Sequence, residues 1–95
     1  MIYLETELEI KGKKQKVIME KIPLEEVEEC TKGSVVNIWL FNGDSYYGFL
    51  SDVGEIFIVL APLSGDDISL GWKRDSIAAF YKQIKTVNDD KIEDI

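Results

Sequence analysis

The chain has 95 residues, of which eighteen are acidic, eleven are basic and none is histidine, so its net charge is −7 at neutral pH. This length fits one small domain and leaves no room for a second lobe or a deep cleft between domains. The negative charge repels phosphate backbones and anionic membrane surfaces, so any binding to nucleic acid would need a local basic patch.

The sequence indicates a reducing compartment and no membrane attachment. The single cysteine, Cys30, cannot form an internal disulfide, which excludes the disulfide-rich class of small secreted domains. The first residues, Met1 to Glu5, lack the basic and apolar regions of a signal peptide, and no apolar stretch is long enough to span a bilayer. We therefore expect a cytoplasmic protein with neither an export signal nor a membrane anchor.

The N-terminal segment is predicted to form a β-hairpin over residues 1–22. Apolar and polar residues alternate from Ile2 to Ile10, which indicates a half-buried strand. A turn rich in lysine and glycine follows, and the segment from Lys16 to Ile22 is predicted to return as a second strand. The outward glutamates of the first strand should then face Lys13, Lys14 or Lys16 across the ladder.

A short helix and a run of short strands are predicted next. Pro23 and Glu25 suit the beginning of a helix and Gly33 suits its end, so we expect a helix over residues 23–31. Tight turns then separate predicted strands at residues 35–41, 45–51, 55–61, 68–73 and 77–82. Consecutive short strands separated by tight turns indicate a small β-barrel.

Two positions give the barrel prediction its detail. Asn42-Gly43 lies between strands rich in β-branched and aromatic residues, which predicts a hairpin with a type I′ turn. Gly48 interrupts an aromatic strand, which indicates a sharp bend or a close backbone approach of the kind that closing a small barrel requires. The fold class is thus all-β with one short helix, in a single domain whose barrel spans residues 35–82. Residues 83–95 are interpreted as an acidic tail, either frayed or forming a short terminal helix.

Two motifs resemble those of the Sm and Sm-like family of small SH3-like barrels. The segment from Gly33 to Asp52 is similar to the first motif, with its valine-rich strand, Asn-Gly turn, Tyr-x-Gly bend and aspartate. The segment Trp72-Lys73-Arg74-Asp75-Ser76-Ile77 is similar to the second motif, but Lys73 stands where the family has arginine and Arg74 where it has glycine. The likeness covers residues 24–82 and leaves the N-terminal hairpin as an addition.

The resemblance implies a mode of assembly and a ligand. Sm proteins form rings in which the fourth barrel strand of one subunit pairs with the fifth of the next, which places assembly edges here at Ile68–Lys73 and Ile77–Lys82. The family binds RNA, using an asparagine after the first motif together with the arginine of the second. Residues 52–57 contain no asparagine, so that part of the family's RNA site has no counterpart in this chain.

Two candidate binding surfaces emerge from the aromatic residues. Trp72, Lys73 and Arg74 combine an aromatic ring with two cations, as in the platforms on which single-stranded RNA stacks. The alternative is that Trp72 fills the core or a subunit interface. Trp39 and Phe41 are predicted on the outer face of the barrel, where they would form a partner surface or lie under the N-terminal hairpin.

The sequence contains few residues that could form a catalytic or metal site. The absence of histidine excludes catalytic triads and histidine-based metal sites, and one cysteine cannot build a thiolate cage, so no metal and no cofactor is expected. Cys30 is interpreted as an inert packing residue. The lysines of the hairpin tip and the acidic pairs Asp66-Asp67 and Asp89-Asp90 are interpreted as solvated surface.

These observations lead to three functional hypotheses. The first is a non-enzymatic binding and assembly module that forms a homo-oligomer through its barrel edge strands, with RNA as the ligand that the resemblance implies. The second is an adaptor whose exposed aromatics and acidic surface engage a basic protein partner. The third, an enzyme that uses carboxylates, would need a carboxyl group with a raised pKa in a pocket.

Overall fold

The computed structural model describes residues 1–87 and confirms the all-β class. Its strands are β1 (Tyr3–Ile10), β2 (Lys13–Ile22), β3 (Val35–Leu40), β4 (Ser45–Val53), β5 (Phe57–Ala61), β6 (Leu70–Lys73) and β7 (Ile77–Val87). Two short 3₁₀ helices, Leu24–Glu29 and Arg74–Ser76, precede β3 and β7. All strands belong to one antiparallel sheet with the order β1-β2-β7-β3-β4-β5-β6.

The N-terminal hairpin forms, with its second strand beginning at Lys13 rather than at Lys16. Glu7 lies opposite Lys16 and Glu9 opposite Lys14, so opposite charges face each other across the ladder, whereas Lys13 lies opposite Ile10. The connection is the dipeptide Lys11-Gly12, whose φ angles of 51° and 81° are the two positive values that a type I′ turn requires.

The turn at Asn42-Gly43 differs from the prediction. Only Gly43 has a positive φ, at 95°, and its N–H donates to the carbonyl oxygen of Leu40 at 3.0 Å. The N–H of Leu40 donates to the carbonyl oxygen of Asp44, which leaves a three-residue loop rather than a two-residue one. Such loops combine a type I turn with one residue in the left-handed region, which here is Gly43. Asn42 therefore keeps a negative φ. Its Oδ1 accepts a hydrogen bond from the N–H of Asp44 at 2.9 Å.

A curled five-strand unit, β7-β3-β4-β5-β6, encloses the main core. Phe80 of β7 and Trp72 of β6 pack in the same cluster although they lie on opposite margins of this unit. Val27 of the first 3₁₀ helix belongs to the same cluster. This 3₁₀ helix, Leu24–Glu29, is shorter than the helix predicted over residues 23–31. The buried members are Val27, Val36, Ile38, Leu50, Ile58, Leu60, Ile77 and Phe80. Within residues 1–87 no ladder joins β6 to β7, so the barrel stays open at β6.

The hairpin folds over the outer face of the same strands and makes a second core. Val17 and Met19 of β2 pack with Val35 of β3, and Tyr47 and Phe49 of β4 border the cluster. The hairpin tip is fastened to the barrel because the N–H of Lys11 donates to the carbonyl oxygen of Leu63 at 2.7 Å. The ammonium of Lys11 also lies 5.5 Å from the ring centre of Phe49.

Strand β7 extends beyond its predicted end. β2 pairs with it from Ile22 opposite Phe80 to Lys16 opposite Val87. The interpretation of residues 83–95 as a tail is therefore wrong for residues 83–87, which β2 holds in the sheet by backbone hydrogen bonds. Residues 88–95, including the pair Asp89-Asp90, lie outside the described part of the chain.

Gly48 marks a close backbone approach, as the sequence predicted. A β-carbon at this position would lie 2.7 Å from the carbonyl oxygen of Ala61 and 2.9 Å from the β-carbon of Leu60. Both distances are shorter than van der Waals contact, so only glycine lets β4 and β5 curl together here.

Replacing Gly48 with alanine should therefore lower the free energy of unfolding by roughly 1–3 kcal/mol, because the methyl group forces the backbone of β5 away. Gly71→Ala is the matched control, since its nearest neighbour would lie 3.6 Å away. Urea denaturation of both variants measures the difference. Equal stability of Gly48→Ala and the parent would contradict the close approach.

Candidate interaction surface

Strand β6 offers a free backbone edge. Among the described strands it pairs with β5 alone. The N–H of Arg74 donates to the carbonyl oxygen of Ile56 at 2.8 Å, in the register that continues the β5–β6 ladder. Because alternate residues of an antiparallel strand direct their backbone groups to the same side, the N–H and C=O groups of Gly71 and Lys73 point away from β5. Both backbone groups of Gly71 and the N–H of Lys73 are available to another strand, whereas the carbonyl oxygen of Lys73 accepts the hydroxyl of Ser76 at 2.6 Å.

An apolar groove runs along this edge. Ile68, Leu70 and Trp72 alternate along the chain, and the first two are 69 % and 56 % exposed. Trp72 is half-buried and stacks on Tyr46, with the ring centres 4.9 Å apart and the planes inclined by 33°. These four side chains, which we name the edge groove, border a cavity of about 160 Å³. Tyr47, Leu60, Ala61 and Pro62 complete its lining, which carries no ionised group.

Opposite charges stand at the two ends of the edge groove. Asp66 and Asp67 precede the strand, and Lys73 ends it; all three are exposed. Asp66 accepts the hydroxyl of Ser64 at 2.9 Å. Within residues 1–87, neither Asp67 nor Lys73 makes an ion pair. The edge therefore has a negative and a positive end with an apolar centre.

Arg74 is committed to internal contacts. Its guanidinium donates to both carboxylate oxygens of Glu28 at 3.1 Å, to the carbonyl oxygen of Leu24 at 2.9 Å and to that of Gly54 at 3.0 Å. The side chain is only 19 % exposed. Arg74 thus ties the first 3₁₀ helix to the β4–β5 turn, and we call this arrangement the Arg74 clamp. The bound arginine in turn holds the pKa of the Glu28 carboxyl below its usual value, with a backbone hydrogen bond as the second cause.

The predicted trio Trp72, Lys73 and Arg74 therefore divides between two roles. Trp72 packs against the main core and stacks on Tyr46, and Lys73 is exposed at the strand end. The guanidinium of Arg74 is engaged in the hydrogen bonds of the Arg74 clamp. The RNA platform would thus have one available cation from this trio, and its assignment stays a prediction.

The predicted partner surface lies on the outer side of β3 and the loop after it. Phe41 is 75 % exposed and Trp39 is 37 % exposed. The N-terminal hairpin packs on Tyr47 and Phe49 instead. The role of Trp39 and Phe41 as a partner surface stays a prediction. Trp39 and Phe41 remain available to a partner.

The second predicted assembly edge is already occupied. Ile77–Lys82 pairs with β3 on one side, and on the other side β2 pairs with Phe80, Tyr81 and Lys82. The prediction that this strand offers a free edge is therefore wrong over residues 80–82. The occupying strand, β2, belongs to the N-terminal hairpin, which the resemblance to Sm proteins does not include.

Two features of this surface escaped the sequence reasoning. The alternation of Ile68, Leu70 and Trp72 is visible in the sequence and could have indicated an apolar strand face. Asn37, by contrast, gave no signal: it is fully buried, and its Nδ2 donates to the carbonyl oxygen of Tyr46 at 3.0 Å. Its Oδ1 has no hydrogen-bond partner among residues 1–87. This bond anchors the backbone that carries Tyr46 into the edge groove.

The remaining candidates carry little chemistry. Cys30 packs against the main core, and burial raises the pKa of its thiol, which disfavours the nucleophilic thiolate. In residues 1–87, no three cysteine or acidic side chains come close enough together to hold a metal ion. None of the helices in the same range has the length and apolar character needed to cross a membrane.

Replacing Arg74 with alanine should lower the free energy of unfolding by roughly 1–3 kcal/mol, because the carbonyl oxygens of Leu24 and Gly54 lose their donor. Arg74→Lys should recover only part of the loss, since an ammonium cannot reproduce the planar fork. Urea denaturation measures both. Full stability of the alanine variant would show that the clamp contributes nothing.

The lowered pKa of Glu28 predicts a pH dependence. A carboxyl group with a lowered pKa stabilises the fold fully above its unfolded-state pKa, and the contribution is lost as the pH falls through the folded-state value. The parent should therefore be more stable than Glu28→Gln at neutral pH, and the difference should shrink through and below the ordinary glutamate range. Thermal unfolding across this range measures it. A difference that does not change with pH would refute the role of the charged pair.

No family model, curated protein or solved structure matches the chain. The likeness to the Sm family rests on its two sequence motifs and stays a prediction.

Proposed function

We propose that this protein is a non-enzymatic assembly module that associates with itself through the free edge of β6. The observation that carries the proposal is a coincidence at the open edge. Within residues 1–87 the backbone groups of Gly71 and the N–H of Lys73 have no ladder partner, and the side chains of Ile68 and Leu70 beside them are exposed. A strand added at this edge would satisfy the backbone groups and cover the apolar side chains in one step.

The other end of the sheet is less suited to strand addition. β1 directs Glu5, Glu7 and Glu9 to its polar side, and charged residues on an edge strand discourage pairing with another chain. Strand β6 carries a single charged residue, Lys73 at its end, and its inner side carries only Leu70 and Trp72. This asymmetry supports β6 as the adhesive edge.

The proposed assembly differs from the Sm ring. A ring of that kind joins the fourth barrel strand to the free edge of the fifth, which here correspond to β6 and β7. Since β2 already pairs with β7, that acceptor edge is filled within the chain. The module therefore associates by another arrangement of β6.

A second candidate function is supported by the exposure of Phe41 and Trp39. An adaptor would use these rings and the net charge of −7 to engage a basic protein partner. Binding of single-stranded RNA has weaker support, because it would depend on Trp72 and Lys73 without the guanidinium of Arg74.

We expect light scattering coupled to size exclusion to find a defined oligomer in the absence of RNA. Leu70→Lys should convert it to a monomer at the same concentration, because a charge would then face an apolar neighbour in the paired edges. Phe41→Lys is the matched control and should leave the mass unchanged, and far-ultraviolet circular dichroism checks the fold of both.

The outcomes separate the candidates. A parent chain that is monomeric at all concentrations tested would overturn the proposal. Loss of the oligomer in Phe41→Lys alone would move the contact to the outer aromatics, and an oligomer that forms only with added RNA would favour the family's ligand.

A further inference from the structure

We propose that two copies of the chain pair through β6 in an antiparallel two-fold dimer with Leu70 opposite Leu70 of the second copy. The inference rests on the proposed self-association and specifies its register. Edge strands that pair with their own copies do so around a two-fold axis, so residue i faces residue j and residue j faces residue i.

The direction of the backbone groups restricts the register. Within β6, Gly71 turns both backbone groups and Lys73 its N–H to the open edge, while the carbonyl oxygen of Lys73 accepts the hydroxyl of Ser76. Ser69 directly precedes β6 and has the same parity, so its groups face the open edge when the dimer ladder extends the strand. Only registers that set these residues opposite one another form a hydrogen-bonded ladder. Five such registers centre on residues 69–73, from Ser69 facing Ser69 to Lys73 facing Lys73. Centring on Trp72 or Lys73 sets Lys73 opposite Gly71 or opposite the second Lys73, so the comparison is between Leu70 and its two neighbours.

Charge complementarity selects the central register. With Leu70 facing Leu70, Lys73 of each copy lies opposite Asp67 of the other, so the positive end of one edge meets the negative end of the next. Trp72 lies opposite Ile68 of the second copy, and both belong to the apolar edge groove. The small residues Ser69 and Gly71 face each other on the opposite side of the sheet and allow the strands to approach.

The two neighbouring registers are less complementary. Centring on Gly71 would set Ile68 opposite Arg74, whose guanidinium is bound in the Arg74 clamp, and Lys73 opposite Ser69. Centring on Ser69 would set the carboxylate of Asp66 opposite Trp72 and leave Lys73 opposite Gly65. Neither pairs Lys73 with an acidic residue.

The central register also places Leu70 at a position suited to cross-linking. Since Ser69 and Gly71 exchange the ladder hydrogen bonds, the two Leu70 residues form a non-hydrogen-bonded pair, in which α-carbons approach to about 4.5 Å. Disulfides form readily at such separations. Two chains of net charge −7 repel each other at long range in every register, so the local pairs of Lys73 with Asp67 favour the register that forms them.

The first test is cross-linking in a Cys30→Ala background, so that the introduced thiol is the only one. Leu70→Cys should form a disulfide dimer under mild oxidation, and Ser69→Cys, whose counterpart would be Gly71, should not. If Gly71→Cys cross-links in place of Leu70→Cys, the register is wrong. An oligomeric parent in which Leu70→Cys stays unlinked would overturn the two-fold pairing and leave self-association standing, whereas a monomeric parent would overturn both.

The second test exchanges the charges. Lys73→Asp and Asp67→Lys should each raise the dimer dissociation constant roughly tenfold, since the two-fold axis turns two attractive contacts into two repulsive ones. Mixing the two variants should restore the parent's affinity as a heterodimer, because both contacts are then complementary. Analytical ultracentrifugation with one variant labelled measures this.

The control for net charge is Asp44→Lys, which makes the same change as Asp67→Lys at an exposed position of the β3–β4 loop. It should not weaken the dimer. Weakening by Asp44→Lys equal to that by Asp67→Lys, or a mixture that binds no better than its separate components, would overturn the pairing of Lys73 with Asp67.

Discussion

The pairing of β2 with β7 is the constraint on which the rest of the structure depends. A strand has two edges, and each backbone group on an edge forms its ladder bond once. By occupying the second edge of β7 from Phe80 to Val87, the N-terminal hairpin fixes the order of the whole sheet and leaves β6 as its open apolar margin. The same pairing brings Val17 and Met19 onto the outer face, so one contact both extends the sheet and builds the second core.

The position of β6, the open margin of the sheet, depends on contacts made by residues from other parts of the chain. Gly48 lets β4 and β5 approach closely, which curls the sheet and brings Trp72 to the core shared with Phe80. The Arg74 clamp fixes the end of β6 against the first 3₁₀ helix, and Asn37 fixes the backbone of Tyr46. The Trp72 end of the edge groove is thus held by hydrogen bonds and stacking, and a surface that is already ordered loses less entropy when it binds.

The sequence was sufficient for local features and insufficient for distant pairings. The alternation in β1, the barrel strands and the close approach at Gly48 follow from patterns that extend over a few residues. The continuation of β7 to Val87 depends on β2, which lies far away in the chain, and no local pattern encodes that ladder.

The turn at Asn42-Gly43 was predicted at the right place with the wrong type. Asn tolerates either sign of φ, so the register of β3 with β4 determines which turn type forms. Arg74 next to Trp72 suggested a ligand, whereas its partners Leu24, Glu28 and Gly54 come from two other segments.

The occupied edge of β7 has a consequence for the size of any assembly. A subunit with two different adhesive edges joins head to tail, and its copies grow into rings or open fibres according to the angle at each junction. A subunit with one apolar adhesive edge saturates that edge when a second copy binds, so growth stops there. If copies associate through β6 as proposed, residues 1–22 limit the growth of the assembly, because β2 already pairs with the edge of β7 that a head-to-tail neighbour would use.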